Sequence, residues 1–199
     1  MTIKKWFQRD SFALGLFCLL AIITMYPVIT ALDNQVLGWS GDNKQYVYII
    51  GHTAEALSQG HSPFIDPRLN YPDQLSIAAT DIPFLTIIAS VPFTLLFNST
   101  LSYNFIIFFS AVLSGYFTYL WLLELTQSRL SALIGGMAFL LIPYRVVHSY
   151  GHLQLISTQF IPLFFRTLHN ILQKKSLTWY NLLTLTIVTF LVGLHLNIT

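Results

Sequence analysis

From Ser11 to Leu32 the sequence carries no charged residue. Coiled as one helix, that run would reach roughly 33 Å, enough to cross the hydrocarbon core of a bilayer. Further apolar runs follow near residues 82–97, 103–123, 130–144, 153–169 and 179–199. Only 9% of the 199 residues are charged, against about a quarter in a soluble domain, so polar side chains are too few to cover a water-facing surface. The pattern predicts an all-α, polytopic transmembrane helical bundle. The net charge of +2 gives no nucleic-acid surface, and the single cysteine, Cys18, excludes an intramolecular disulfide.

Lys4, Lys5 and Arg9 precede the first run, which places the N-terminus in the cytoplasm of a cell inner (plasma) membrane protein. A cleaved signal peptide competes with this reading, but the run is longer than a usual signal core and no A-x-A-like site follows it. Crossing by all six runs would put Arg129, Lys174 and Lys175 outside, against the bias of basic residues toward the cytoplasm. The run 82–97 is short and holds Pro83 and Pro92, so it is expected as a re-entrant or interfacial segment that does not cross. About five spans then remain (11–32, 103–123, 130–144, 153–169 and 179–199), with residues 33–102 forming an extracytoplasmic loop. In that arrangement the segment around His148 and His152 shares a side with the loop.

The loop collects six of the eight acids: Asp33, Asp42, Glu55, Asp66, Asp73 and Asp81. Val47, Ile50, Ala54 and Leu57 recur at helical spacing, which predicts an interfacial amphipathic helix from Lys44 to Gln59. The stretch Gly60 to Asp73 is dense in turn formers. Glu55, His52 and His61 are expected at the loop surface. Ser110, Ser114, Gly115, Gly135 and Gly136 bring small residues into the second and third spans, where they suit close helix packing.

Asp42, between Gly41 and a helix start, is the leading acid. It can serve as a general base, ligate a divalent cation, or simply cap the helix. The segment Pro143 to Gln154 gathers Arg145, His148, Tyr150 and His152. Arg and His can hold a phosphate or sugar hydroxyls, and two His four apart on a helix can ligate metal. A belt of polar and aromatic interfacial anchors is the plainer alternative. Asp81 stands at the mouth of the run 82–97, facing a groove or capping a helix. No phosphate-binding glycine loop, dinucleotide fingerprint, G-x-S-x-G or H-E-x-x-H occurs.

A first span followed by G-D-N-K-Q-Y-V-Y, G-H-S-P-F, N-Y-P-D, S-Y-N-F and P-Y-R-V-V-H-S-Y-G-H-L-Q resembles the GT-C superfamily of membrane glycosyltransferases. That superfamily includes protein O-mannosyltransferases, aminoarabinose transferases and the oligosaccharyltransferase catalytic subunit. The resemblance implies a polyprenyl-phosphate-linked sugar as donor and a catalytic acid soon after the first span, at Asp42. Tyr46, Asp81, Arg145, His148 and His152 are then expected to bind substrate. The superfamily often has an acid in the segment after the third span. This chain has none there, which leaves metal binding without that ligand. Superfamily members usually have more spans, so a fragment is expected, its site completed by a downstream segment or a partner subunit. A non-catalytic membrane protein, such as a transporter fragment or assembly partner, and an inactive truncated paralogue are the alternatives.

Overall fold

Helices account for nearly all regular structure in the computed structural model, which describes residues 3–80 and 82–174 with scattered positions between 179 and 189. Asp81 and most of the expected span 179–199 therefore lie outside the described residues. Helix α1 runs Ile3–Thr24, α2 Asp42–Ser58, α3 Phe84–Leu96 and α4 Ser99–Thr126. Then follow α5 Arg129–Leu140, α6 Pro143–His148, α7 Leu153–Ile156 and α8 Phe160–Lys174. The strands β1 (Ile65–Asp66) and β2 (Leu75–Ser76) pair antiparallel in a short ribbon, Ile65 opposite Ser76.

Among the described residues, two segments are long and apolar enough to cross a membrane: α4, with 28 residues, and Arg129–His148, with 20. The first apolar run departs from expectation. Its helix starts at Ile3 and stops at Thr24, and residues 28–30 form a single 3-10 turn. Pro27 accounts for the stop, because it lacks an N–H and disfavours helical backbone at Tyr26. The run 82–97 forms α3, whose 13 residues reach about 20 Å, well short of a hydrocarbon core of about 30 Å. The run expected as one span over 153–169 is broken. Helix α7 ends at Ile156, and Ser157, Thr158 and Gln159 lie buried before α8 begins.

That break is held by α4. Ser110 Oγ lies 2.8 Å from both the Ile156 carbonyl oxygen and Gln159 Oε1. At the far end of the α4–α8 contact, Arg166 donates to Glu124 Oε1 from Nε (3.0 Å) and Nη2 (2.6 Å), and Asn170 donates to Glu124 Oε2 at 2.9 Å.

Two apolar cores result. One packs α1 against α4 and α5 through Phe17, Ala21, Val112, Leu120, Ala132 and Leu140. The expected close packing of small residues is present here: a Cβ on Gly136 would lie 2.7 Å from the Gly115 carbonyl oxygen and 2.6 Å from Phe17 Cζ. The other core sits under the long loop, where Ile49, Ile50, Ile77, Ile87, Tyr103 and Leu153 meet. This second core carries the loop, and with it the polar residues described next.

Candidate functional site

The loop leading into α2 is pinned by two buried asparagines. Asn104, on α4, donates to the carbonyl oxygens of Leu32 (2.8 Å) and Gln35 (2.7 Å), and its Oδ1 accepts from the Leu37 N–H at 3.1 Å. Asn43 donates to Leu37 O at 3.3 Å and accepts from Gly41 N–H at 3.1 Å. Neither residue was singled out from sequence. For Asn104 the available signal was an amide inside an apolar helix, where it must find partners. Together they fix Asp42 as the first residue of α2, with its carboxylate exposed.

The segment after α6 docks directly onto this loop. Gly38, at φ +111°, presses so closely on Tyr150 that a Cβ there would lie 2.3 Å from the Tyr150 carbonyl oxygen. The Trp39 N–H donates to that same oxygen at 2.9 Å, and the Trp39 and Tyr150 rings stack at 5.6 Å. The Tyr46 hydroxyl, one turn along α2 from Asp42, donates to Gln154 Oε1. These contacts bring His152 Nε2 to 4.0 Å from Asp42 Oδ2, ion-pair range rather than a hydrogen bond. His152 Nδ1 lies 3.3 Å from His148 Nδ1, so one neutral ring can donate to the other.

Asp42, His148 and His152 thus form one half-exposed cluster, with Tyr46 buried beside it as a tether. Arg145 is placed differently from the expected phosphate-binding role. Its side chain is buried, and Nη1 reaches Ser114 Oγ (2.7 Å), the Ile156 carbonyl oxygen (2.8 Å) and Thr158 Oγ1. The guanidinium is engaged with α4 and the break before α8. The two histidines do not share a helical face either. Helix α6 ends at His148, and residues 149–151 turn before His152. Their Nδ1 atoms face each other, and among the described residues no group of three or more His, Cys, Asp or Glu side chains is arranged to hold a metal ion. The residues present do not fit a divalent cation cage.

A second polar cluster lies at the other end of α2. Asp66, on β1, is fully buried, and its carboxylate accepts from the Tyr48 hydroxyl, the Arg68 N–H (3.0 Å) and Arg68 Nε (3.1 Å). Burial alone would raise its pKa. The hydrogen bonds from Tyr48 and Arg68, with the nearby His52, outweigh that and hold it at about 2. Burial and the bond to Asp66 push the Tyr48 phenol up, and the bonds to Asp66 and Glu55 push the Arg68 guanidinium up. His52, expected at the surface, is buried, because β1 and the Arg68 side chain cover that face of α2: its Nδ1 lies 2.8 Å from Arg68 Nη2. Glu55 and His61 are exposed as expected.

Fold and site together define a mostly helical protein with, among the described residues, two segments fit to cross a bilayer and a polar site on a folded loop. The chain belongs to a family described as a domain of unknown function, DUF6311, whose model matches residues 12–198. No curated protein and no solved structure matches it.

Proposed function

We propose that the chain is the N-terminal membrane module of a GT-C-type glycosyltransferase, moving a sugar from a polyprenyl-phosphate donor to an acceptor hydroxyl at the extracytoplasmic face. The observation that carries this reading is the approach of Asp42 to His152 and His148. Two segments about a hundred residues apart meet at the surface end of the helices, as a single transfer site requires. A lipid setting is supported by the outward apolar side chains of α1 (Phe12, Leu19, Ile23) and of the α5–α6 segment (Leu130, Ile134, Val147), which water would penalise. The short α3 supports leaving the run 82–97 out of the crossings, and the reading places the N-terminus in the cytoplasm of the inner membrane and the loop outside.

In the transfer, the Asp42 carboxylate takes the proton from the acceptor hydroxyl as its oxygen bonds to the anomeric carbon. The bond from that carbon to the phosphate oxygen breaks, and the polyprenyl phosphate leaves with the electron pair. His152, beside Asp42 and turned by its Nδ1 toward His148, donates from Nε2 to the departing phosphate oxygen. A downstream segment or partner subunit would supply the rest of the donor site. Replacing Asp42 by Asn keeps size and hydrogen bonding but removes the base. In the full chain reconstituted with polyprenyl-phosphate sugars, Asp42→Asn should abolish turnover with expression and melting temperature unchanged. Retained turnover removes the assigned role.

A further inference from the structure

Beyond the cluster at Asp42, a cavity of about 510 Å³ opens at the far end of α2, between that helix and the loop that carries β1 and β2. This lies within the size range of small-molecule sites. Glu55 follows Asp42 by 13 residues, about 20 Å along the helix axis, so the two places are separate. The wall combines Glu55, Gln59, His61, Arg68 and Gln74 with the apolar face of Pro67.

The polar wall is held in place. Arg68 donates from Nη1 to Glu55 Oε2 at 2.7 Å and from Nε to Asp66 at 3.1 Å, and its guanidinium carbon sits 5.7 Å from the Tyr48 ring centre. A guanidinium locked in this way keeps its remaining N–H groups aimed in fixed directions. By contrast, the side chains of Gln59, His61 and Gln74 have no hydrogen-bond partner among the described residues. Amide, imidazole, carboxylate and guanidinium groups thus present donors and acceptors side by side.

Charge decides what class of ligand this suits. One guanidinium faces two carboxylates, Asp66 and Glu55, which offset its charge and leave it already paired against an anion such as phosphate. Nor do the described residues make a metal site. A ligand that is neutral, and both donates and accepts at several closely spaced points, satisfies the wall. Saccharides have that chemistry. We infer that this cavity is a binding site for a neutral saccharide unit, distinct from the cluster at Asp42. The site does not depend on the transfer reaction proposed above.

Methyl glycosides of glucose, mannose, galactose and N-acetylglucosamine are suitable probes. They would be tested by saturation-transfer NMR on the full chain in lipid nanodiscs, since maltoside detergents would compete. At least one should bind, and Gln59→Ala should weaken it by about tenfold, the loss of one or two hydrogen bonds. Glu55→Gln should weaken it as well, with both variants melting like the parent. Asp42→Asn should bind like the parent, which separates this site from the transfer reading. A polyprenyl-phosphate sugar in a second arm distinguishes a free or acceptor glycan from a donor headgroup. The assignment is overturned if no methyl glycoside binds, if binding ignores both cavity variants, or if only the phosphorylated sugar or inorganic phosphate binds.

Discussion

Replacing Gly136 with alanine tests the packing of α1, α4 and α5 where α5 meets the α4 backbone. In a helix interior exposed to no neighbour, Gly→Ala stabilises by roughly 0.5–1 kcal/mol, because glycine loses more backbone freedom on folding. At Gly136 the new methyl would lie 2.7 Å from the Gly115 carbonyl oxygen and 2.6 Å from Phe17 Cζ. The ring can turn, but the oxygen belongs to the α4 backbone, so α4 and α5 must part. Overpacking of this kind costs about 1–3 kcal/mol. Set against the helix-propensity gain, the net loss is up to about 2.5 kcal/mol, centred near 1. Gly15 on α1 provides the internal control, since a Cβ there meets nothing within 4 Å. Thermal unfolding of both variants in the same nanodiscs should rank Gly136→Ala below the parent and Gly15→Ala at or above it. Phe17→Leu added to Gly136→Ala should recover only part of the loss, because the carbonyl clash remains. Equal melting temperatures for the two alanine variants would refute the close-contact argument.

Two further outcomes follow from the loop. Gly38→Ala would place a methyl 2.3 Å from the Tyr150 carbonyl oxygen at a backbone angle that side chains rarely adopt, costing about 1–3 kcal/mol or more. It should lower the melting temperature and, by displacing His152 from Asp42, the transfer rate; wild-type values of both would contradict the docking described. Asp66 gives a pH signature. Its folded pKa of about 2 lies below the ordinary value of 3.8, so its stabilising effect is present above pH 4 and is lost as pH falls toward 2. The shift corresponds to about 2 kcal/mol, so acid titration of stability should lose that much across the window, and Asp66→Asn should flatten it. An unchanged acid limb in Asp66→Asn would exclude the buried carboxylate as its source.

What could be read in advance was what depends on local periodicity. The apolar spacing around Val47, Ile50 and Ala54 anticipated α2, and the small residues on α4 and α5 anticipated their close approach. The meeting of Asp42 with His152 followed only from an argument about which side each segment faces. The second polar cluster was not legible. Asp66 and Arg68 sit among turn formers with no periodic signal, and their partners Tyr48, His52 and Glu55 lie on a helix more than ten residues earlier. The surroundings of Arg145 were hidden for a related reason: its neighbours in sequence are interfacial, while its partners Ser114 and Thr158 come from other elements. Likewise the Ser157–Gln159 break looked like three polar letters inside a span, because Ser110, Ser114 and Arg145, which hold Thr158 and Gln159, come from other elements.

The two polar attachments between α4 and α8, Ser110 with Gln159 at one end and Glu124 with Arg166 and Asn170 at the other, have a consequence for how this helix pair can evolve. One added or deleted residue between them would swing the far attachment about 100° around the axis. The number of residues between the two attachments is therefore fixed, whatever the side chains along it.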